Sequence, residues 1–75
     1  MSQVERIERL EMMAKADQHS GSIGPWSSGE RLAVALVLNR QDWLAEMEYT
    51  ILEAVARLEP DWLAACYSVA KALRD

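Results

Sequence analysis

The residues whose types most suggest catalysis or ligand binding lie together in the segment HSGSIGPWSSGE, residues 19–30. It holds the chain's three glycines, its only histidine and one of its three tryptophans. Glycines expose backbone amides, and the helix predicted to begin at Ser27 would present an anion-binding N-terminus. However, the segment lacks the GxxxxGK[ST] spacing of a P-loop and the GxGxxG spacing of a dinucleotide-binding loop, and no strand is predicted before it. We therefore expect a connection between helices.

The other residue types used in catalysis are sparse. Nucleophilic catalysis needs a base held against a nucleophile, and His19 has only the ordinary turn serines beside it. A helical chain of this length also has little room for a substrate pocket. Cys66 is the only cysteine, so an intramolecular disulfide is excluded and a cysteine-based metal site is not expected. We predict a protein that is not an enzyme and has no cofactor or bound metal.

Length and composition predict one helical domain over residues 1–75, and 51% apolar residues are enough for a compact core. The net charge of −4 argues against direct binding of nucleic acid. The N-terminus lacks the apolar core of a signal peptide, and the longest apolar run, residues 32–38, is far shorter than the ~20 residues of a membrane span. We expect a cytoplasmic protein without membrane contact.

Two capping boxes, in which a serine and a glutamate three residues later satisfy first-turn amides, mark the first two helices. The box at residues 2–5 precedes a helix over about residues 3–17. The box at residues 27–30 begins a second helix that ends near residue 38. Because residues 32–38 are apolar all round, this second helix is predicted to be enclosed by the others.

The rest of the chain predicts one long helix and a final one. Apolar residues recur at three-to-four spacing over residues 42–58, which favours a single helix, and a capping-box spacing at residues 50–53 leaves a break near Glu48 as the alternative. The side chains expected to face the core are Leu44, Met47, Ile51, Ala54 or Val55, and Leu58. The last helix runs from about Pro60 to Leu73. The predicted fold is an all-α bundle of four short helices, or five if the long segment breaks.

Acidic residues concentrate in residues 41–61, which contain six carboxylates and one base and have a local net charge of −5. On a continuous helix, Asp42, Glu46, Tyr49 and Glu53 share one face because they lie 0, 4, 7 and 11 positions apart. A charge run of this kind commonly forms only a solvated face. The other interpretation is an acidic ridge containing an aromatic side chain, suited to an Arg/Lys-rich partner protein. These four residues are the candidate protein-binding site.

Trp26 is a fifth candidate protein-binding residue. Trp43 and Trp62 are expected to anchor the core, but a domain this small does not readily enclose three tryptophans. Trp26 follows a Gly-Pro pair, so it either pins the loop onto the helices, which we favour, or stays exposed. An exposed tryptophan would be a candidate binding hot spot.

The stretch SGSIGPWSSGERLAVALVLNRQDWLAEMEYTILEAVARL, residues 20–58, resembles small uncharacterised helical proteins of proteobacterial phages and mobile elements. In size, acidity and lack of catalytic groups the chain is also similar in type to anti-CRISPR proteins, small inhibitors that commonly bind a defence complex and block its DNA or nuclease access. This likeness implies a non-enzymatic inhibitor, whose acidic face we expect to bind a basic, nucleic-acid-binding surface. The alternatives are a helix-turn-helix regulator and a small homo-oligomeric structural protein, such as a homodimer.

Overall fold

A computed structural model describes residues 1–74, which form five helices and no strand. The helices are α1 (Gln3–Asp17), α2 (Ser28–Val37), α3 (Gln41–Glu46), α4 (Ile51–Arg57) and α5 (Pro60–Arg74). The prediction of a small all-α bundle is therefore confirmed, in its five-helix form. No helix within the described residues is both long and apolar enough to span a membrane.

Capping boxes begin three of the helices. Ser2, Ser27 and Thr50 each accept a hydrogen bond from the backbone N–H three residues later, and the glutamate at that position accepts one from the backbone N–H of the capping residue. Each box satisfies two amides that have no partner within the helix. The starts of α1, α2 and α4 are thus fixed locally by short sequence patterns.

The prediction of one helix over residues 42–58 is wrong, because both sides of the break are capped. Thr50 is extended and caps α4. At the end of α3, Glu48 and Tyr49 donate their N–H groups to the carbonyls of Ala45 and Leu44, at 3.0 and 2.9 Å. This pair of hydrogen bonds forms a Schellman motif, and it places Glu48 in the left-handed region with φ of 64°. The helix cannot continue through that conformation.

The centre of the bundle is α2, as predicted. Residues 32–35 are at most 1% exposed and occupy four successive positions, so a whole helical turn is enclosed. The enclosing elements are all four of the other helices, each of which contacts α2. The remaining buried apolar residues are Leu10, Met13, Ala14, Trp43, Leu44, Ala54, Leu58, Ala65, Cys66 and Val69.

The two long helices, α1 and α5, run in broadly the same direction. Near their starts, Gln3 Nε2 donates a hydrogen bond to the carbonyl oxygen of Asp61 at 2.8 Å. At their C-terminal ends, Gln18, which caps α1, and Leu73, in the last turn of α5, line one surface depression.

The central helix α2 follows the same direction as α1. Arg9 in α1 donates to the carboxylate of Glu30 in the first turn of α2, at 2.5 and 3.3 Å. Just after both helices end, Arg40 Nη1 lies 3.4 Å from the carbonyl oxygen of Ser20. Parallel neighbours cannot be joined by a tight turn. Residues 18–27 therefore carry the chain back to the start of α2.

We predict that acid destabilises the fold through its capping glutamates. The pKa of Glu30 is lowered chiefly by its hydrogen bond from Arg9, and those of Glu5 and Glu53 by their capping boxes. A carboxylate with a lowered folded-state pKa stabilises the protein above its ordinary pKa of 4.5, and that contribution is lost as pH falls through the folded-state value. Thermal unfolding followed by circular dichroism should give a steady Tm near neutral pH and a falling Tm below about pH 4.5.

Glu30→Gln should lower Tm at pH 7 and flatten its fall in acid, because the variant removes one of these titrating groups. Glu8→Gln is the matched control, since Glu8 is exposed on α1. If Glu30→Gln retains the acid dependence of the native chain, the assignment to Glu30 is wrong.

Candidate functional site

Helices α3 and α4 and the connection between them carry four of the five predicted binding residues. Asp42 and Glu46 lie one turn apart on α3, and both are exposed. Tyr49 is half-buried in the connection, and Glu53 lies in the first turn of α4. Because the chain breaks between them, the single helical face predicted for these four residues does not exist. They form two short groups on adjacent elements.

Arg40 neutralises one end of the predicted ridge. Its Nε and Nη2 atoms donate to the Asp42 carboxylate at 3.0 and 2.8 Å, and its guanidinium lies 4.0 Å from the ring centroid of Trp43. The Arg40 hydrogen bonds lower the pKa of Asp42, while Asp42 and then the charge of Glu46 raise the pKa of Arg40. The net charge of −5 within residues 41–61 therefore overstates the negative charge of the ridge, because Arg40 lies one residue before that segment and pairs with Asp42.

Glu53 also has a structural partner. Its Oε1 accepts the backbone N–H of Thr50 at 3.0 Å, and its own N–H bonds to Thr50 Oγ1 at 3.1 Å. The backbone bond is the main reason that the pKa of Glu53 is lowered. Three exposed carboxylates of residues 41–61 have neither a hydrogen bond nor an ion pair to any residue in 1–74: Glu46 at the end of α3, Glu48 between α3 and α4, and Glu59 beyond α4.

Helix α4 turns large apolar side chains outward. Ile51, Leu52 and Val55 are 45%, 80% and 38% exposed, whereas Ala54 is fully buried. The prediction that Ile51 faces the core is wrong. Because of the break, the buried positions of α4 do not continue the apolar repeat expected of a single helix. Leu52 is not one of the positions of the three-to-four apolar repeat. A large apolar residue outside the repeat is the feature of the sequence that indicates an outward apolar face.

A depression lies between the two short helices. Its volume is about 510 Å³. It is lined by Gln41, Leu44, Tyr49, Thr50, Ile51 and Leu52, which we call the α3–α4 depression. Leu44 and Tyr49 are the pair that the Schellman motif brings together, and an apolar contact between these two positions is typical of it. The turn that separates the helices therefore also shapes this concave surface.

Trp26 occupies a different environment. Its Nε1 donates to Asp17 Oδ2 at 2.8 Å, and the same oxygen accepts the N–H of Gly24 at 3.0 Å. Asp17 is 4% exposed and is the buried polar residue of the core. Trp26, which is half-buried, thereby pins the loop of residues 18–27, which is the arrangement that the sequence favours over an exposed tryptophan.

The groups with catalytic potential are not brought together. His19 is exposed just after α1. Cys66 is buried with its Sγ 3.8 Å from the carbonyl oxygen of Ala33, and burial raises the pKa of its thiol to about 11. The thiol therefore stays protonated near neutral pH, which makes it a poor nucleophile. In the part of the chain that the structure describes, no three His, Cys, Asp or Glu residues cluster to hold a metal ion.

The close approach of Trp26 to Gly24 gives a prediction. A Cβ added at Gly24 would lie 2.7 Å from the indole, which cannot move away without losing its bond to Asp17. Gly24→Ala should cost about 1–3 kcal/mol, as overpacking does. Chemical denaturation should report the loss, and Tm should fall by about 4–8 °C per kcal/mol for a domain of this size.

Gly21→Ala is the matched control, because a Cβ at Gly21 would meet no atom within 4 Å. Equal stability of the two variants would show that the indole does not hold the loop against Gly24.

Comparisons with known proteins do not supply a family. No protein-family model, no curated protein sequence and no solved structure matches the chain. The resemblance to helical proteins of phages and mobile elements therefore stays a prediction.

Proposed function

We propose that this chain is a non-enzymatic protein-binding module that acts as an inhibitor of the anti-CRISPR type. In this proposal it binds a basic, nucleic-acid-binding surface of a defence complex and thereby excludes DNA from it. The binding surface consists of the exposed acidic and apolar side chains of α3 and α4. We call these the α3–α4 surface: Asp42, Glu46, Glu48, Ile51, Leu52, Glu53 and Val55.

The observation that carries the proposal is that α4 exposes its large apolar side chains and buries a small one. This helix buries Ala54, its smallest kind of side chain, and exposes Ile51, Leu52 and Val55. Fold stability alone would favour burying the larger groups, each worth about 1.5–3 kcal/mol when removed from water. Single exposed apolar residues are ordinary, but a contiguous exposed group is typical of an interaction site.

The carboxylates around this apolar group support a basic partner. Glu46 and Glu48 are exposed and make no ion pair within residues 1–74, so their charges are available to a partner. Charges at the rim of an interface raise the association rate and exclude partners of like charge more than they add affinity. A surface that normally binds phosphate groups is rich in Lys and Arg, and it therefore matches this rim.

A helix-turn-helix regulator is the second candidate, and the break between α3 and α4 is the observation that favours it. In that arrangement α4 would take the recognition position in the major groove. Its exposed polar residues are Glu53 and Arg57, which together carry no net charge. Contacts to DNA phosphates need several basic residues, so this pair does not support DNA binding. A gel-shift assay showing salt-sensitive DNA binding by the chain would favour the regulator over the inhibitor.

The proposal is tested by binding of the chain to a panel of purified CRISPR effector complexes, with DNA cleavage by each complex as the second readout. We expect Glu46→Gln/Glu48→Gln to slow association with the inhibited complex about tenfold at low salt, and less at high salt, because steering is screened. Asp42 and Glu53 are left intact, since their carboxylates hold Arg40 and the start of α4.

Glu8→Gln/Glu59→Gln is the matched control, with the same change of charge at exposed positions outside the α3–α4 surface. It should associate at a rate close to that of the native chain. If the native chain neither binds nor inhibits any complex of the panel, the proposed function is wrong. If the two double variants behave alike, the assignment to Glu46 and Glu48 is wrong.

A further inference from the structure

Three further features of the α3–α4 surface point to a specific mode of contact. The first is the shape of the α3–α4 depression. Leu44, only 3% exposed, supplies an apolar floor, while Ile51 and Leu52 stand beside it and remain accessible. A concave apolar site with an exposed apolar edge is suited to a single inserted side chain, the usual form of an interface anchor.

The second feature is the backbone of Glu48. It has φ of 64° at the position after the α3 cap, where glycine or asparagine is usual. The equivalent position after α2 is occupied by Asn39, with φ of 55° and the same Schellman bonds. Glutamate has no local hydrogen bond that relieves this conformation, so it is strained there. Strain kept at one residue is typical of a functional site.

The third feature is the distribution of charge around the depression. Glu48 directly precedes the lining residue Tyr49, and the Glu53 carboxylate is bonded to the N–H of the lining residue Thr50. The edge formed by the α3–α4 turn and the start of α4 is therefore acidic. A second copy docking through the same face would oppose these carboxylates to each other, and the chain's net charge of −4 adds to the repulsion.

Building on the proposed function, we propose that the α3–α4 depression receives one apolar side chain of a basic amphipathic segment of the partner protein, with Glu48 pairing an arginine or lysine next to it. Leu44, Ile51 and Leu52 form the apolar contact. Glu48 is a specificity residue: it keeps a charge at the depression at the expense of backbone strain. The occupant is thus a protein segment in which an aliphatic or aromatic residue is followed closely by a cation.

The test uses a synthetic helical peptide that carries leucines on one face and arginines beside them, titrated into the full ¹⁵N-labelled chain. We expect amide shift changes to concentrate at Gln41, Leu44 and residues 49–52. A peptide with serine in place of leucine, and one with glutamate in place of arginine, should each bind at least about tenfold more weakly. Shifts centred on another face, or equal binding of the serine peptide, would contradict the proposal.

Two variants distinguish the apolar contact at the depression from nonspecific hydrophobic binding of the peptide. Leu52→Ser should weaken binding by about tenfold or more, since an anchor contact is lost, with little change in Tm because Leu52 is 80% exposed. Val4→Ser is the matched control, because Val4 is 65% exposed on α1. Equal loss of binding in both variants would rule out the depression as the anchor site.

Glu48→Asn tests the specificity residue with two readouts that move in opposite directions. Asparagine tolerates the left-handed conformation, so Tm should rise by about 2–5 °C, while affinity for the arginine peptide falls severalfold. Glu59→Gln, at an exposed position outside the α3–α4 surface, should change neither. An unchanged or lower Tm, or unchanged affinity, would overturn the role given to Glu48.

The outcomes also distinguish this inference from the proposed function. Inhibition of a CRISPR complex that is unaffected by Leu52→Ser would leave the function standing and reject the depression as its anchor. Peptide binding at the depression without inhibition of any complex would reject the function and leave the anchor site standing. A stable dimer in sedimentation that Leu52→Ser dissociates would make a second copy the occupant and reject the proposal.

Discussion

The burial of one whole turn of α2, residues 32–35, is the constraint on which the rest of the structure depends. A helix turn with no exposed side needs neighbours in every direction, and a chain this short supplies them only by wrapping its other four helices around it. With α1 and α5 parallel to each other and α1 parallel to α2, tight hairpins cannot make the connections. The loop of residues 18–27 and the excursion through α3 and α4 are the two return paths that follow from this arrangement.

The two return paths are held by different interactions. The first depends on one buried carboxylate, Asp17, which holds both the backbone of Gly24 and the indole of Trp26. The second is held at helix ends, by the Schellman turn at Glu48 and the capping box at Thr50. End-capping uses the backbone and a few polar groups. It leaves most side chains of α4 outside the core and available for contacts with other molecules.

The acidic residues divide into those with partners in the fold and those without. Asp42 holds Arg40, and Glu5, Glu30 and Glu53 cap helices, so their charges contribute to stability. Glu8, Glu46, Glu48 and Glu59 are exposed and have no hydrogen bond or ion pair within residues 1–74, and of these four Glu46 and Glu48 lie at the α3–α4 turn. A sequence count of charges cannot make this division. The surface available to a basic partner is therefore smaller than the acidic segment, and it lies beside the apolar face of α4.

The sequence by itself determined the helix starts, the all-α class and the central position of α2. These features depend on interactions within about four residues or on continuous apolar runs, which a local pattern records directly. For residues 42–58 the sequence left two outcomes, one helix or a break before the capping box at residues 50–53, and the folded structure has the break. The apolar repeat is compatible with one helix, and the outcome depended on Glu48 accepting a strained conformation.

That break then decided the site. It separated Asp42 and Glu46 from Glu53, turned Ile51 outward and opened the α3–α4 depression. The partners of Asp17, Glu30 and Asp42 were likewise set by the fold. A charged side chain pairs with whatever packing brings within reach, and even Arg40, two residues before Asp42, takes that position from the turn that ends α2.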